Sequence, residues 1–298
     1  MGKAAFVALF GRPSVGKSTL VNLLCGAKVA IVSPVPQTTR NAIRGILTKP
    51  EGQLVFVDTP GRHTSGKKLN KKIHKKLMDV SERALEDSDL VLYVLDASRL
   101  PGYEEEAIAE RLKNLQGRTV AAINKTDAAG ADPKKLLDFL DVQLPDLHAS
   151  RRFKISCYEK QGLTPLLDCL FEMAPLGDLP YPGEYYTDQE VSFRIQEIIR
   201  EKVIRRLREE LPHSIYVEIA DLELKDKRLW VRAFIITERE SQKGMIVGKN
   251  GEMIKAIGQA ARKELNSIFD WKVDLDLRVK TGKDWRHDDR ILKKITGF

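Results

Sequence analysis

Gly11, Arg12, Pro13, Ser14, Val15, Gly16, Lys17 and Ser18 spell GxxxxGK[ST], directly after the apolar run Ala4 to Phe10 and directly before a stretch of helical pattern that opens at Thr19. No other feature limits the fold as tightly. Consecutive backbone N–H groups must wrap a phosphate, and glycines let the chain approach it without a Cβ clash. Lys17 then reaches the β- and γ-phosphates, and the Ser18 hydroxyl is placed to ligate magnesium. By average composition, a chance match in a chain of 298 residues has a probability on the order of one per cent. The strand and helix context lowers it further.

Other apolar runs, Leu54 to Val57, Leu90 to Leu95, Val120 to Ile123 and Phe153 to Ile155, alternate with helix-like segments. That rhythm predicts βαβ units around a mixed, mostly parallel sheet with helices on both faces. It stops at Ala174, where APLGDLPYPGEYYTDQ has linker composition. The expected organisation is a first domain over 1–174, a linker over 175–188 and a second domain over 189–298. The second reads as a helix over 189–211, strands over 214–219 and 228–237, a glycine-containing turn, a helix over 252–267 and a strand over 272–279, an α+β order.

With 42% apolar and 31% charged residues the chain has the composition of a folded protein rather than a disordered one. Its longest apolar runs fall far short of the ~20 residues of a membrane-spanning helix. The first residues carry neither a signal h-region nor a cleavage site, so the expected location is the cytoplasm. Cys25, Cys157 and Cys169 form no CxxC pair and read as reduced packing residues. The net charge of +8 divides as +5 for 1–180 and +3 for 181–298, so neither half is a basic tail. Two clusters stand out: Lys67, Lys68, Lys71, Lys72, Lys75 and Lys76, and the stretch Arg239 to Lys263.

Two further motifs complete the nucleotide chemistry. Asp58-Thr59-Pro60-Gly61 ends the second apolar run; its aspartate is placed to hold magnesium through water and Gly61 to offer its N–H to the γ-phosphate. Asn124-Lys125-Thr126-Asp127 follows a later run. A carboxylate such as Asp127 accepts from guanine N1–H and the exocyclic amine, a donor pair adenine lacks, so the site selects GTP and GDP over adenine nucleotides. The Lys125 stem lies along the purine, Asn124 ties the two loops together, and Ser156-Cys157 closes over the guanine carbonyl.

GRPSVGKST, DTPG, NKTD and Ser156-Cys157 resemble a translation-factor-type GTPase domain, and Pro36-Gln37-Thr38-Thr39-Arg40 narrows the resemblance to the bacterial Era-type GTPases. In that family a threonine of this segment closes on magnesium and the γ-phosphate; carried over, it is Thr39, with Thr38 left open. The catalytic set is then Lys17, Thr39, Asp58 and Gly61, with the metal held by Ser18, Thr39 and Asp58. Gly248-Lys249-Asn250-Gly251 is a GxxG, a spacing expected about once by chance at this glycine content. Between two helical segments in a basic stretch, however, it is similar to a type II KH domain, where bare backbone approaches RNA phosphates and about four unstacked nucleotides are read. Lys243, Gly248, Lys249, Asn250, Gly251 and Lys255 are the expected RNA contacts. The resemblance implies binding to the 3′ region of small-subunit ribosomal RNA, a role in maturing the small ribosomal subunit and, in some members, loose attachment to the inner membrane face; the chain is expected to be a monomer, although the sequence does not fix its oligomeric state. A signalling GTPase with a protein-binding C-terminal half, or an RNA-binding module with an inactive nucleotide domain, would share parts of the pattern.

The chain departs from the family at two places. Ser14 stands where relatives usually carry asparagine, which leaves potassium dependence open, and Arg62 follows DTPG where signalling GTPases keep a water-orienting glutamine. Arg62 is read as an exposed loop arginine rather than an arginine finger, His63 is not read as a base, and unaided turnover is expected to be slow, on the order of 10⁻⁴ to 10⁻² per second. Replacing Arg62 with alanine should therefore change GTP turnover less than about threefold. A hundredfold loss at unchanged nucleotide affinity would identify it as the finger.

Overall fold

The computed structural model describes residues 2–33, 35–36, 38–61, 71–207 and 214–296. Arg62, His63, Lys67 and Lys68 lie outside the described residues, as does Gln37. The described residues form two compact units, one drawn from 2–30, 36–61 and 74–188, the other from 31–35, 71–73 and 189–296.

The first unit is built on a sheet in the order β2-β3-β1-β4-β5-β6, with β7 beside β1. Its strands are β1 (Gly2–Phe10), β2 (Ile43–Lys49), β3 (Gly52–Asp58), β4 (Leu90–Asp96), β5 (Thr119–Asn124), β6 (Arg152–Lys154) and β7 (Leu176–Gly177). β3, β1, β4, β5 and β6 run parallel, and β2 is antiparallel to β3. Both faces of the central strands are covered, which is why β3 and β4 are buried throughout and read in sequence as continuous apolar runs. The helices are α1 (Lys17–Leu24), α2 (Lys71–Glu86), α3 (Tyr103–Leu112), α4 (Pro133–Gln143) and α5 (Leu163–Met173). The expected mixed, mostly parallel α/β sheet is present.

Residues 175–188, whose prolines and glycines read as a linker, lie along this unit. β7 pairs with β1, the Ile46 N–H donates to Tyr186 O at 2.9 Å, and Thr187 Oγ1 donates to Arg44 O at 2.8 Å. The segment thus occupies backbone groups that β2, an edge strand, would otherwise leave open. Composition reports the bends, not this use of the backbone.

The second unit has α6 (Val191–Ile204), β8 (Ile215–Lys225), β9 (Arg228–Thr237), α7 (Glu240–Val247), α8 (Glu252–Ile268), β10 (Lys272–Thr281) and α9 (Asp289–Thr296). β9 lies centrally, antiparallel to β8 and parallel to β10. Alternation along β9 and β10 buries Val231, Ala233, Ile235, Val273 and Leu275 against Ile195 and Ile199 of α6 and Ile257, Ala261 and Leu265 of α8. This α-β-β-α-α-β order is the expected α+β second domain. Substituting alanine for Leu92, fully buried in β4, should lower the stability of the first unit by about 2–5 kcal/mol in denaturant unfolding; a cost below about 0.5 kcal/mol would contradict the packing.

Candidate functional site

The site lies at the carboxyl ends of β1, β3, β4 and β5, where an open α/β sheet presents its loops. The loop after β1 is held in backbone forms that ordinary residues avoid: Gly11 has φ 154°, Ser14 φ 65° and Gly16 φ 103°. Positive φ at Ser14 and Gly16 is the kind of backbone form from which an anion nest of N–H groups is built. α1 begins at Gly16 with no side-chain cap, so its first N–H groups are left for a ligand. A Cβ on Gly16 would stand 2.4 Å from Asn124 Nδ2, so glycine is required by space as well as by φ.

Lys17 is buried, and its ammonium donates to Gly11 O and Arg12 O, both at 3.0 Å. Burial lowers its pKa to about 8, with Asp58 opposing and Arg12 adding to that shift. Ser18 Oγ donates to Asp58 Oδ2 at 2.6 Å. Thr39 Oγ1 lies 3.1 Å from Ser18 Oγ and donates to Asp58 Oδ2 at 3.3 Å. The fold thus brings Thr39 to both Ser18 and Asp58.

Asp58 is fully buried; burial raises its pKa, against Lys17 and the two hydroxyls. Its second oxygen, Oδ1, is buried with no hydrogen-bond partner. A stranded carboxylate oxygen beside two hydroxyls fits a hard divalent cation that takes oxygen ligands. No group of three or more His, Cys, Asp or Glu that could hold a metal ion occurs among the described residues. The donor set suits a magnesium ion whose remaining ligands are phosphates and water. Gly61 abuts the phosphate loop, since a Cβ there would stand 2.5 Å from Pro13 N. Thr59 Oγ1 fixes this second loop to β1 through Leu9 O at 2.7 Å.

The base loop is bound to the phosphate loop by Asn124, whose Nδ2 donates to Val15 O at 2.8 Å and whose Oδ1 accepts from the Cys157 N–H at 3.0 Å. Asn124 thereby also holds the Ser156-Cys157 segment expected at the guanine carbonyl. Ser156 Oγ donates to Asp127 Oδ1, and Thr126 Oγ1 to Ile155 O at 3.0 Å. Arg12 turns its guanidinium away from the loop it belongs to, into Asp96 and Glu105. Sequence reasoning passed over Asp96, although an acid ending an apolar run is the same signal that marked Asp58.

In the second unit, α7 and α8 are joined through Gly248 (φ 73°), Asn250 (φ 52°) and Gly251 (φ 77°). A Cβ on Gly248 would meet Met253 Cβ at 2.7 Å. Lys249, Asn250 and Lys255 are exposed, Met245 presents an exposed apolar side chain beside them, and Lys243 is paired with Glu240 at 2.8 Å.

Residues 6–125 match the family described as 50S ribosome-binding GTPase, and residues 210–286 match the KH domain family. A relative named GTPase Era from Treponema denticola is 47% identical over 292 residues, covering 97% of this chain and 98% of that protein. Another, from Borreliella burgdorferi, is 46% identical over 297 residues, with 98% and 99% covered. Among solved structures, Era of Aquifex aeolicus bound to GDP and AlF4⁻ superposes with TM-score 0.92 at 33% identity over 99% of both chains. An Era bound to MgGDPNP and nucleotides 1506–1542 of 16S ribosomal RNA gives TM-score 0.92 at 33% identity, with 100% of this chain and 99% of that one covered.

A buried lysine with its pKa near 8 sets a pH limit on nucleotide binding. Phosphate favours the charged ammonium, so binding takes up a proton wherever the free protein has lost it. GDP affinity should hold steady up to about pH 7 and fall above about pH 8, approaching tenfold per pH unit. Lys17→Arg should flatten that fall in a titration of Kd against pH. An unchanged affinity up to about pH 9.5 in the natural chain would contradict it.

Proposed function

The chain belongs to the Era family of GTPases, and from that premise we propose that it is a GTP-driven switch whose KH domain holds the 3′ region of small-subunit ribosomal RNA during maturation of the small ribosomal subunit. GTP hydrolysis is the family's activity. In this reading residues 1–174 handle the nucleotide, 189–298 handle RNA, and 175–188 connect them. This reading places the protein in the cytoplasm, as a monomer with loose peripheral contact at the inner membrane face. Among the described residues no helix is long and apolar enough to cross a membrane.

The observation that carries the nucleotide half is the meeting of Ser18, Thr39 and the stranded Asp58 oxygen beside Lys17. Ser18, Thr39 and, through water, Asp58 would hold magnesium, which would supply positive charge to the β- and γ-phosphate oxygens. Around it the chain's own groups position the nucleotide. The loop from Gly11 to Thr19 wraps the β-phosphate with backbone N–H, and Lys17 leaves its carbonyl partners for the phosphates. Gly61 offers its N–H to the γ-phosphate, Asp127 reads guanine, Lys125 lies along its face, and Asn124, Ser156 and Cys157 fix that loop. The Thr39 and Gly61 segments close on the γ-phosphate and relax once it leaves.

For the RNA half, the relative seen with 16S ribosomal RNA and the GxxG turn, with positive φ at Gly248, Asn250 and Gly251 and with Lys249 and Asn250 exposed, support the reading. Gly248 and Gly251 admit a phosphate backbone, Lys249 and Asn250 sit at its side, and Lys243 and Lys255 add positive charge. Replacing Lys249 and Asn250 together with aspartate should weaken capture of a 3′ small-subunit RNA fragment at least about tenfold while leaving the melting temperature unchanged. Undiminished RNA capture would favour the protein-binding alternative.

A further inference from the structure

Asp96 ends β4 directly opposite Asn124 of β5, so the sheet register delivers its carboxylate beside the base loop. The side chain is buried, 2% exposed, and every described contact it makes is with a group that donates or is positive. Oδ1 accepts from the Ser98 N–H at 3.0 Å and from Ser98 Oγ at 2.6 Å. Oδ2 accepts from Lys125 Nζ at 2.6 Å and from Arg12 Nη2 at 3.4 Å. Arg12 is in turn held by Glu105 through Nε at 2.7 Å, while Glu105 Oε2 accepts from the Gly102 N–H at 2.9 Å. Burial alone raises the Asp96 pKa, but the hydrogen bonds from Lys125 and Ser98 outweigh it and hold the group ionised.

We propose that Asp96 is a positioning residue of the guanine site, locking Lys125 against the base and tying its setting to the phosphate loop through Arg12. The neutral tie between the two loops, Asn124 to Val15, fixes backbone position only. Lys125 is a long side chain, 36% exposed, with a left-handed backbone at φ 63°. Left unanchored, it would lose much rotamer freedom on lying down along a purine. The 2.6 Å pair with Asp96 removes that freedom before nucleotide arrives, so less is lost on binding and release is slower. Because one carboxylate oxygen serves both cations, a shift of the phosphate loop is felt at the lysine that touches the base. The chain thus uses Arg12, which belongs to the phosphate loop in sequence, as a strut rather than as a phosphate ligand.

This inference rests on the proposed seating of guanine against Lys125 and Asp127, and the test separates the two. Release of a fluorescent GDP from the full chain is followed by stopped flow for Asp96→Asn, Lys125→Gln and the double variant. Asp96→Asn should release GDP about tenfold faster in the natural background and less than about twofold faster once Lys125 is glutamine, because the partner is already gone. Equal acceleration in both backgrounds, or none in either, would overturn the link. If Asp96→Asn does not fold, Arg12→Gln with Lys125→Gln closes an equivalent cycle, in which a double effect smaller than the product supports the link and a full product overturns it. Competition by ADP against GDP on the natural chain reports the guanine seating itself: equal affinities defeat that seating, whereas additive variants with intact guanine preference defeat only the role of Asp96.

Discussion

Everything in the first unit is arranged around one costly act, the burial of a lysine ammonium at the start of a helix. Lys17 survives there because two loop carbonyls accept hydrogen bonds from it and Asp58 supplies opposite charge from the end of β3. Those acceptors exist only if the loop after β1 takes left-handed forms at Ser14 and Gly16, and that loop is pinned in turn by Asn124 from the end of β5. A site spread over four strand ends therefore depends on the register of a single sheet. The buried Asp58 oxygen without a hydrogen-bond partner and the turn of α1 without a side-chain cap are the features that a hard cation and a phosphate would complete in the proposed reading.

The second unit meets a similar demand with a different scaffold. Its sheet is too small to bury two faces, so helices cover one side and β9 and β10 alternate along their length. The turn between α7 and α8 again has positive φ, here at Gly248, Asn250 and Gly251. In the proposed reading both units would thus meet phosphate at positive-φ loops before helices, one for a compact triphosphate and one for an extended strand.

What was legible in the sequence follows from what backbone geometry enforces. The phosphate loop, DTPG, NKTD and GxxG were readable because each needs particular residues at fixed spacing, and the buried strands because their central positions form continuous apolar runs. β2 was not readable. Its run IRGILTK is broken by Gly45, where a Cβ would stand 2.7 Å from Val21 and 2.8 Å from Cys25, so a packing requirement erased the strand pattern. Thr38 and Thr39 are indistinguishable as letters; only the fold brings Thr39 to Ser18. Residues 175–188 looked like a linker because proline and glycine report bends and say nothing of β-pairing. Asp96 carried a readable cue, an acid at a strand end, but its meaning lay in the neighbours that pairing with β5 supplies.

The central claim is that occupancy of the guanine pocket governs the grip on RNA, and its most direct measurement is the Kd of the full chain for a fragment from the 3′ end of small-subunit ribosomal RNA, taken with a non-hydrolysable GTP analogue and with GDP. Coupling predicts tighter binding with the triphosphate by at least about fivefold at fixed salt. Equal affinity in the two states would contradict it.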